Sequence, residues 1–153
     1  MTISTDSLID DFIFNLAKIF EDNEARLGIK EIYKDDVWVV PMVPSMSLSC
    51  TSIWNQLRTI SSVNVRYEID IVGSIWYYHS AASPDVTTNL VMRNAYKIVD
   101  HIMRNASLNG FLTNTRAIVR SCAYTPRRRS RALISAARIL ITAPYQTRIS
   151  TIS

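Results

Sequence analysis

Residues 63–79 restrict the fold more than any other stretch of this chain. Val63, Val65, Tyr67, Ile69 and Ile71 alternate with Asn64, Arg66, Glu68 and Asp70. A period of two puts one set on a buried face and the other in water, which is the pattern of a half-buried strand. Gly73 marks a bulge or bend before Ile75-Trp76-Tyr77-Tyr78-His79. The run is long enough for the strand to project beyond its sheet.

The layer that covers such a strand is legible on either side of it. Over residues 6–23, Leu8, Ile9, Phe12, Ile13, Leu16, Ile19 and Phe20 recur at helical spacing, with Asp10, Asp11, Asn15, Lys18 and Glu21 on the opposite face. Thr5 or Asp6 caps this helix, and Gly28 supplies a stop. A second helix over 84–105 opens at Ser83-Pro84-Asp85. Its stripe is Val91, Ala95, Ile98 and Ile102, with Leu90, Val99 and Met103 alongside and Arg93, Lys97 and Arg104 on other faces. Asn109-Gly110 then offers the positive-φ positions of a turn.

Three further strands are expected. Val37–Val43 is β-rich but broken by Pro41, which assigns it to a sheet edge. Arg116, Ile118, Arg120, Cys122 and Tyr124 alternate with small residues and Val119, and Arg131–Thr142 returns after a turn at Thr125–Ser130. Residues 44–62, crowded with Ser and Thr, read as a long Ser-rich loop, and 144–153 as a polar tail. The order α–β–loop–β–α–β–β implies a single α+β domain over 1–153 with its ordered core at about 5–143. Its antiparallel or mixed sheet carries two main helices packed on one face and a long protruding strand or hairpin.

Composition narrows the class. Hydrophobic residues are 48% and charged residues 20%, with 3 Gly and 5 Pro, which excludes collagen-like and low-complexity chains. Two cysteines, Cys50 and Cys122, give no disulfide framework and no zinc spacing. No uncharged run approaches the ~18 residues of a membrane span, so no membrane partner is expected. The start, Met1–Asp6, lacks the basic flank and apolar core of a signal peptide, so assembly from the cytosol is expected.

Charge divides the chain. Residues 1–75 hold 11 acids and 6 Lys/Arg (−5), and residues 76–153 hold 2 acids and 11 Lys/Arg (+9). The basic half suits nucleic acid, an acidic partner, or the acidic half of a neighbouring copy, the last of which favours head-to-tail rings. Cancellation within the monomer is the alternative.

Catalytic chemistry has little to stand on. His101 follows Asp100, but helix neighbours point about 100° apart and form no dyad by adjacency. His101 is expected on a helix face near a C-terminus, and His79 in an aromatic cluster with Tyr77 and Tyr78. Gly28, Gly73 and Gly110 are isolated, so there is no phosphate loop or dinucleotide fingerprint. Asp10/Asp11 and Asp35/Asp36 read as solvated pairs. The expectation is no enzyme, no cofactor and no metal. The arginines are the main candidate feature. Arg127, Arg128, Arg129 and Arg131 gather at the expected hairpin turn, and Arg116, Arg120 and Arg138 line its strands, Arg116 and Arg120 sharing one face by parity. Such a hairpin suits DNA phosphates, or a neighbouring subunit's acidic groove.

The layout as a whole resembles the tail-terminator (tail-completion, head-to-tail joining) proteins of long-tailed bacteriophages. The resemblance covers roughly residues 5–143: an amphipathic helix, an edge strand, a polar loop, the long strand Val63–Tyr78, and a helix ending in Asn105-Ala106-Ser107-Leu108-Asn109-Gly110-Phe111 before two more strands. It implies a structural virion protein, assembled in the host cytoplasm, that forms a hexameric ring on the head-proximal end of the tail tube. The ring halts tube growth and presents the joining surface for the neck or head-completion protein. By resemblance, the long strand and loop 44–62 form ring and tube contacts, with Trp54, Trp76, Tyr77 and Tyr78 as candidates. Passing DNA is then a possible non-specific contact. Another neck (head-completion or connector) protein, or a small DNA-binding accessory protein using the basic hairpin, are the alternatives.

Overall fold

Helix α1 (Thr5–Glu21) buries Leu8, Phe12, Ile13, Leu16, Ala17, Ile19 and Phe20 and leaves Asp10 and Asp11 in water, as its spacing dictates. The computed structural model describes residues 5–36, 40, 43–59, 64–81, 87–129 and 132–150. A one-turn helix, α2 (Glu24–Leu27), follows α1, and Gly28 closes it at φ 70°, where a side chain would be strained. The Gly28 and Ile29 amides donate to Ala25 and Glu24 carbonyls at 3.3 and 2.9 Å, satisfying groups the helix end leaves orphaned.

The remaining elements are β1 (Glu31–Tyr33), β2 (Ser45–Thr59), β3 (Asn64–Ala81), α3 (Thr88–Arg104), β4 (Ile118–Tyr124), β5 (Arg127–Arg129) and β6 (Ala132–Ser150). They form an α+β fold with one six-stranded mixed sheet in the order β1-β2-β3-β6-β4, β5 pairing with β6. Among the described residues only the β1–β2 pair is parallel. The helices lie on one face: Phe12, Leu16 and Phe20 of α1 and Ile98 and Ile102 of α3 share a core with Met46, Leu48, Ile71, Ile75, Tyr77, Ile139 and Ile141. Each large side chain in it contributes about 1.5–3 kcal/mol by leaving water. On the helix-free face a smaller cluster forms from Trp76, Tyr78, Ile134 and Ala136, with Val40 and Val43 against it.

Several expectations change here. The expected loop at 44–62 is strand β2 over residues 45–59, paired along its length with β3. Met46 and Leu48 enter the core while Ser45 and Ser47 are buried on the other face, so the serines are one side of a period-two pattern. The expected tail at 144–153 is, through Ser150, the continuation of β6. Pro144 is tolerated because β4 has already ended at the Ile118–Thr142 pair, so the missing N–H falls on an open edge. The bulge expected at Gly73 falls opposite it, on the partner strand. The bulge sits on β2, between Cys50 and Ser52, and Thr51 Oγ1 donates to the Val72 carbonyl at 3.2 Å. The expected edge strand 37–43 lies largely outside the described residues, as does the Ser83-Pro84-Asp85 cap. Thr87 caps α3 instead, its Oγ1 accepting from the Leu90 amide at 3.2 Å.

After α3 the chain turns through three successive left-handed residues, Leu108, Asn109 and Gly110, at φ 51°, 59° and 82°. Asn109 and Gly110 adopt this region at little cost. Leu108 is held there by complete burial of its side chain.

Beyond the Ser52–Val72–Thr142 row neither β1 nor β4 continues. Three strands alone extend onward for about 25 Å, as Ser52–Thr59, Asn64–Ile71 and Ala143–Ser150. This is the protruding feature expected of the long strand, widened from a hairpin to a three-stranded ribbon. Beside these rows, the outer edges of β2 and β6 have no partner strand among the described residues.

Candidate interaction surfaces

Arg127 is the most heavily engaged of the candidate arginines. Register places it on β5 opposite Ile134, on the helix-free side of the sheet. Its Nη1 and Nη2 donate to Asp36 Oδ1 and Oδ2 at 2.9 and 3.0 Å, a two-pronged carboxylate grip, and Nη1 also donates to Tyr78 Oη at 3.1 Å. The guanidinium carbon lies 4.0 Å from the centre of the Trp76 ring, which stacks on Tyr78 at 6.3 Å and 10°. Burial pushes the Tyr78 phenol above its ordinary range, against the lowering effects of Ser47 and Arg127. This cluster ties β5 and β3 to Asp36, just after β1.

Among the described residues, Arg138 is the other candidate arginine that the structure brings to the same Trp76 ring. The expected four-arginine turn is, over Arg127–Arg129, strand β5, which pairs with Ala132–Ile134. Arg128 alternates to the other side of that strand, Arg129 stands opposite Ala132, and Arg131 lies outside the described residues. Arg116 and Arg120 do not share a strand face as expected. The strand begins only at Ile118, and a register shift between Val119 and Ser121 makes Arg120 the bulged residue. Arg120 Nε donates to Thr142 Oγ1 at 3.1 Å, whereas Arg116 lines an open polar cleft with Arg104, Ser107 and Thr113. Arg138 lies over the helix-free face, its Nε donating to Ser74 Oγ at 3.1 Å and its guanidinium 5.6 Å from the Trp76 ring.

The four candidate aromatics divide sharply. Trp76, Tyr77 and Tyr78 are 8%, 2% and 0% exposed, while Trp54, on the ribbon, is 66% exposed. Tyr77 belongs to the core, and its hydroxyl lies 2.9 Å from His79 Nδ1. Burial raises the Tyr77 phenol and lowers the His79 imidazole. His101 is not on an open helix face. It is buried, and Nε2 donates to the Ile19 carbonyl in the last turn of α1, which fixes the proton on that nitrogen. Among the described residues, no three His, Cys, Asp or Glu side chains converge as a metal site would require.

Sequence reasoning expected a protruding strand or hairpin but missed that β2 is one of the ribbon's strands. The alternation of Ser45–Cys50 was the available signal for β2, obscured by the turn-forming reputation of serine. In comparisons with known proteins, no family model matches this chain, and neither does any curated protein.

Proposed function

We propose that this protein is a structural assembly component of a phage virion, closing the head-proximal end of a tail tube as a ring and offering a joining surface to the neck. The carrying observation is the three-stranded ribbon, whose two outer edges have no partner strand among the described residues. The two edges belong to different strands, β2 and β6. A contact in which one copy's β2 edge meets the next copy's β6 edge is therefore heterologous, and it closes into a ring when the rotation per copy divides the circle. The opposite charge of the chain's halves supports the same head-to-tail arrangement. In this reading the partners are further copies of the chain, a tail tube protein and a neck or head-completion protein, with no catalytic role. The accessory DNA-binding reading based on the hairpin is weakened by Arg127, whose charge is already matched by Asp36.

Native mass of the purified protein, with negative-stain imaging of the same sample, tests the proposal. The expected result is a particle near six times 17.4 kDa with annular projections. A monomer at all concentrations that also leaves purified tail tubes uncapped would remove the basis for this reading.

A further inference from the structure

On the helix-free face, the rows between Trp76 and Trp54 carry small or hydroxyl side chains, Ser49–Ser74–Leu140 and Ser52–Val72–Thr142. Two arginines are anchored to these rows. Arg138, half-buried, donates from Nε to Ser74 Oγ at 3.1 Å, and Arg120, exposed, donates from Nε to Thr142 Oγ1 at 3.1 Å. Both acceptors are buried. Each guanidinium is thus held by one edge, and its other N–H donors have no partner among the described residues. Arg127 and Arg104 are matched by Asp36 and Asp100. Arg120 and Arg138, in contrast, have no carboxylate partner among the described residues. Ser74 stands opposite Leu140, one strand across and two residues along from Thr142, which sets the two anchors about 8 Å apart.

We propose that Arg120 and Arg138 form a docking site for an extended acidic segment of a protein partner, one carboxylate taken by each guanidinium. A half-buried cation without a counter-charge is unfavourable in the free monomer, and a carboxylate on its open edge relieves that penalty through charge-assisted hydrogen bonds. An extended chain presents alternate side chains on one side at about 6.8 Å, close to the separation of the two anchors. The Nε tethers set both guanidiniums in place beforehand, so less side-chain freedom is lost on binding. Leu140, half-buried, and Ile118, 46% exposed opposite Thr142, offer apolar footing for the residues that flank the acids. A nucleic-acid backbone fits this face less well. Its charge runs on at about one per 1.7 Å of duplex, whereas the next row beyond Thr142 brings the acid Asp70 onto the same face. The site belongs to the helix-free face alone and does not depend on ring closure.

Titration of the nitrogen-15-labelled full chain with a short peptide alternating glutamate and valine tests this, read at the arginine Nε–H resonances. Those of Arg120 and Arg138 are identified by their disappearance in R120Q and R138Q. Both should shift together and saturate below about 1 mM peptide, and the matching glutamine–valine peptide should move neither. R120Q/R138Q should weaken binding of the fluorescently labelled peptide by about tenfold or more, because both charge-assisted pairs are lost. S74A/T142V keeps both charges but releases the guanidiniums from their anchors, and it should weaken binding severalfold. R93Q/K97Q on α3 should change nothing. The single R120Q variant, altered at an exposed position and checked by thermal melting, reports on the site if the double variant misfolds. No saturable shift, an equal response to the glutamine peptide, unchanged affinity in R120Q or in S74A/T142V, or an equal loss in the α3 variant would each overturn the proposal. Tighter binding of a short DNA duplex at the same resonances would also overturn it, in favour of a nucleic-acid surface. Native mass is read separately, so failure of this site and failure of the ring are distinguishable.

Discussion

Gly73 is where helix and sheet come closest. A Cβ there would lie 2.9 Å from Phe12 Cζ and 3.2 Å from Ile141 Cγ1, both in the packed core. Gly73→Ala should therefore cost about 1–3 kcal/mol by overpacking, measured by urea unfolding, and Phe12→Leu should recover part of that loss in the double variant. Arg127 makes a second test at this scale. Its side chain is 21% exposed and that of Asp36 46%, so solvent screens the pair and Arg127→Gln should lose only about 1–2 kcal/mol. Arg127→Lys should lose nearly as much, because lysine keeps the charge but not the two-pronged geometry over Trp76. His79 gives a pH signature. Burial depresses its folded-state pKa below the ordinary 6.5, so the unfolded chain takes up the proton first. The corresponding stability is present above about pH 6.5 and is lost as pH falls below it. A stability profile between pH 8 and 5 should decline less steeply on the acid side for His79→Gln than for wild type.

Elements whose burial has one dominant period were legible from the residues alone. The stripes of α1 and α3 each sit on one buried face and one wet face, so the pattern survives in sequence, whereas β3 is buried on both faces at Ser74–Tyr78 and was legible from its long β-rich run. β2 was obscured because Ser45, Ser47 and Ser49 lie on a helix-free face that is partly covered, where small polar residues replace the expected solvent-facing charges. β5 was obscured because three consecutive arginines look like a turn until Trp76 and Asp36 are brought beside the first of them. The end of β6 was obscured by Pro144, whose tolerance depends on where a different strand stops. The candidate site was less legible than the fold: residue type located the arginines, but only register reveals which are already engaged and which share a face. Strand position also sets amide protection. β3 has neighbours on both sides along the ribbon, so hydrogen exchange should be slow at every amide of Val65–Ile71. Alternate amides of Ser52–Thr59, which face the open edge, should exchange fast in a monomer and become protected if copies join edge to edge.

At the scale of the whole molecule, β6 holds the sheet together. It lies between β3 and β4 and also pairs with β5, so no two of these three strands pair with one another. It is also synthesised after every strand it joins. A ribosome that has delivered residues 1–131 has therefore made β3 and β4 without the strip that separates them, and the apolar rows through Ile71, Ile75 and Tyr77 have lost one of their two lateral neighbours. Such a nascent chain must wait, with its widest sheet incomplete, until β6 clears the exit tunnel. Folding is then dominated by distant contacts and correspondingly slow. Chains arrested at residue 131 should accumulate as chaperone-bound or insoluble material, while release of the full chain should convert them to soluble protein in a single late step.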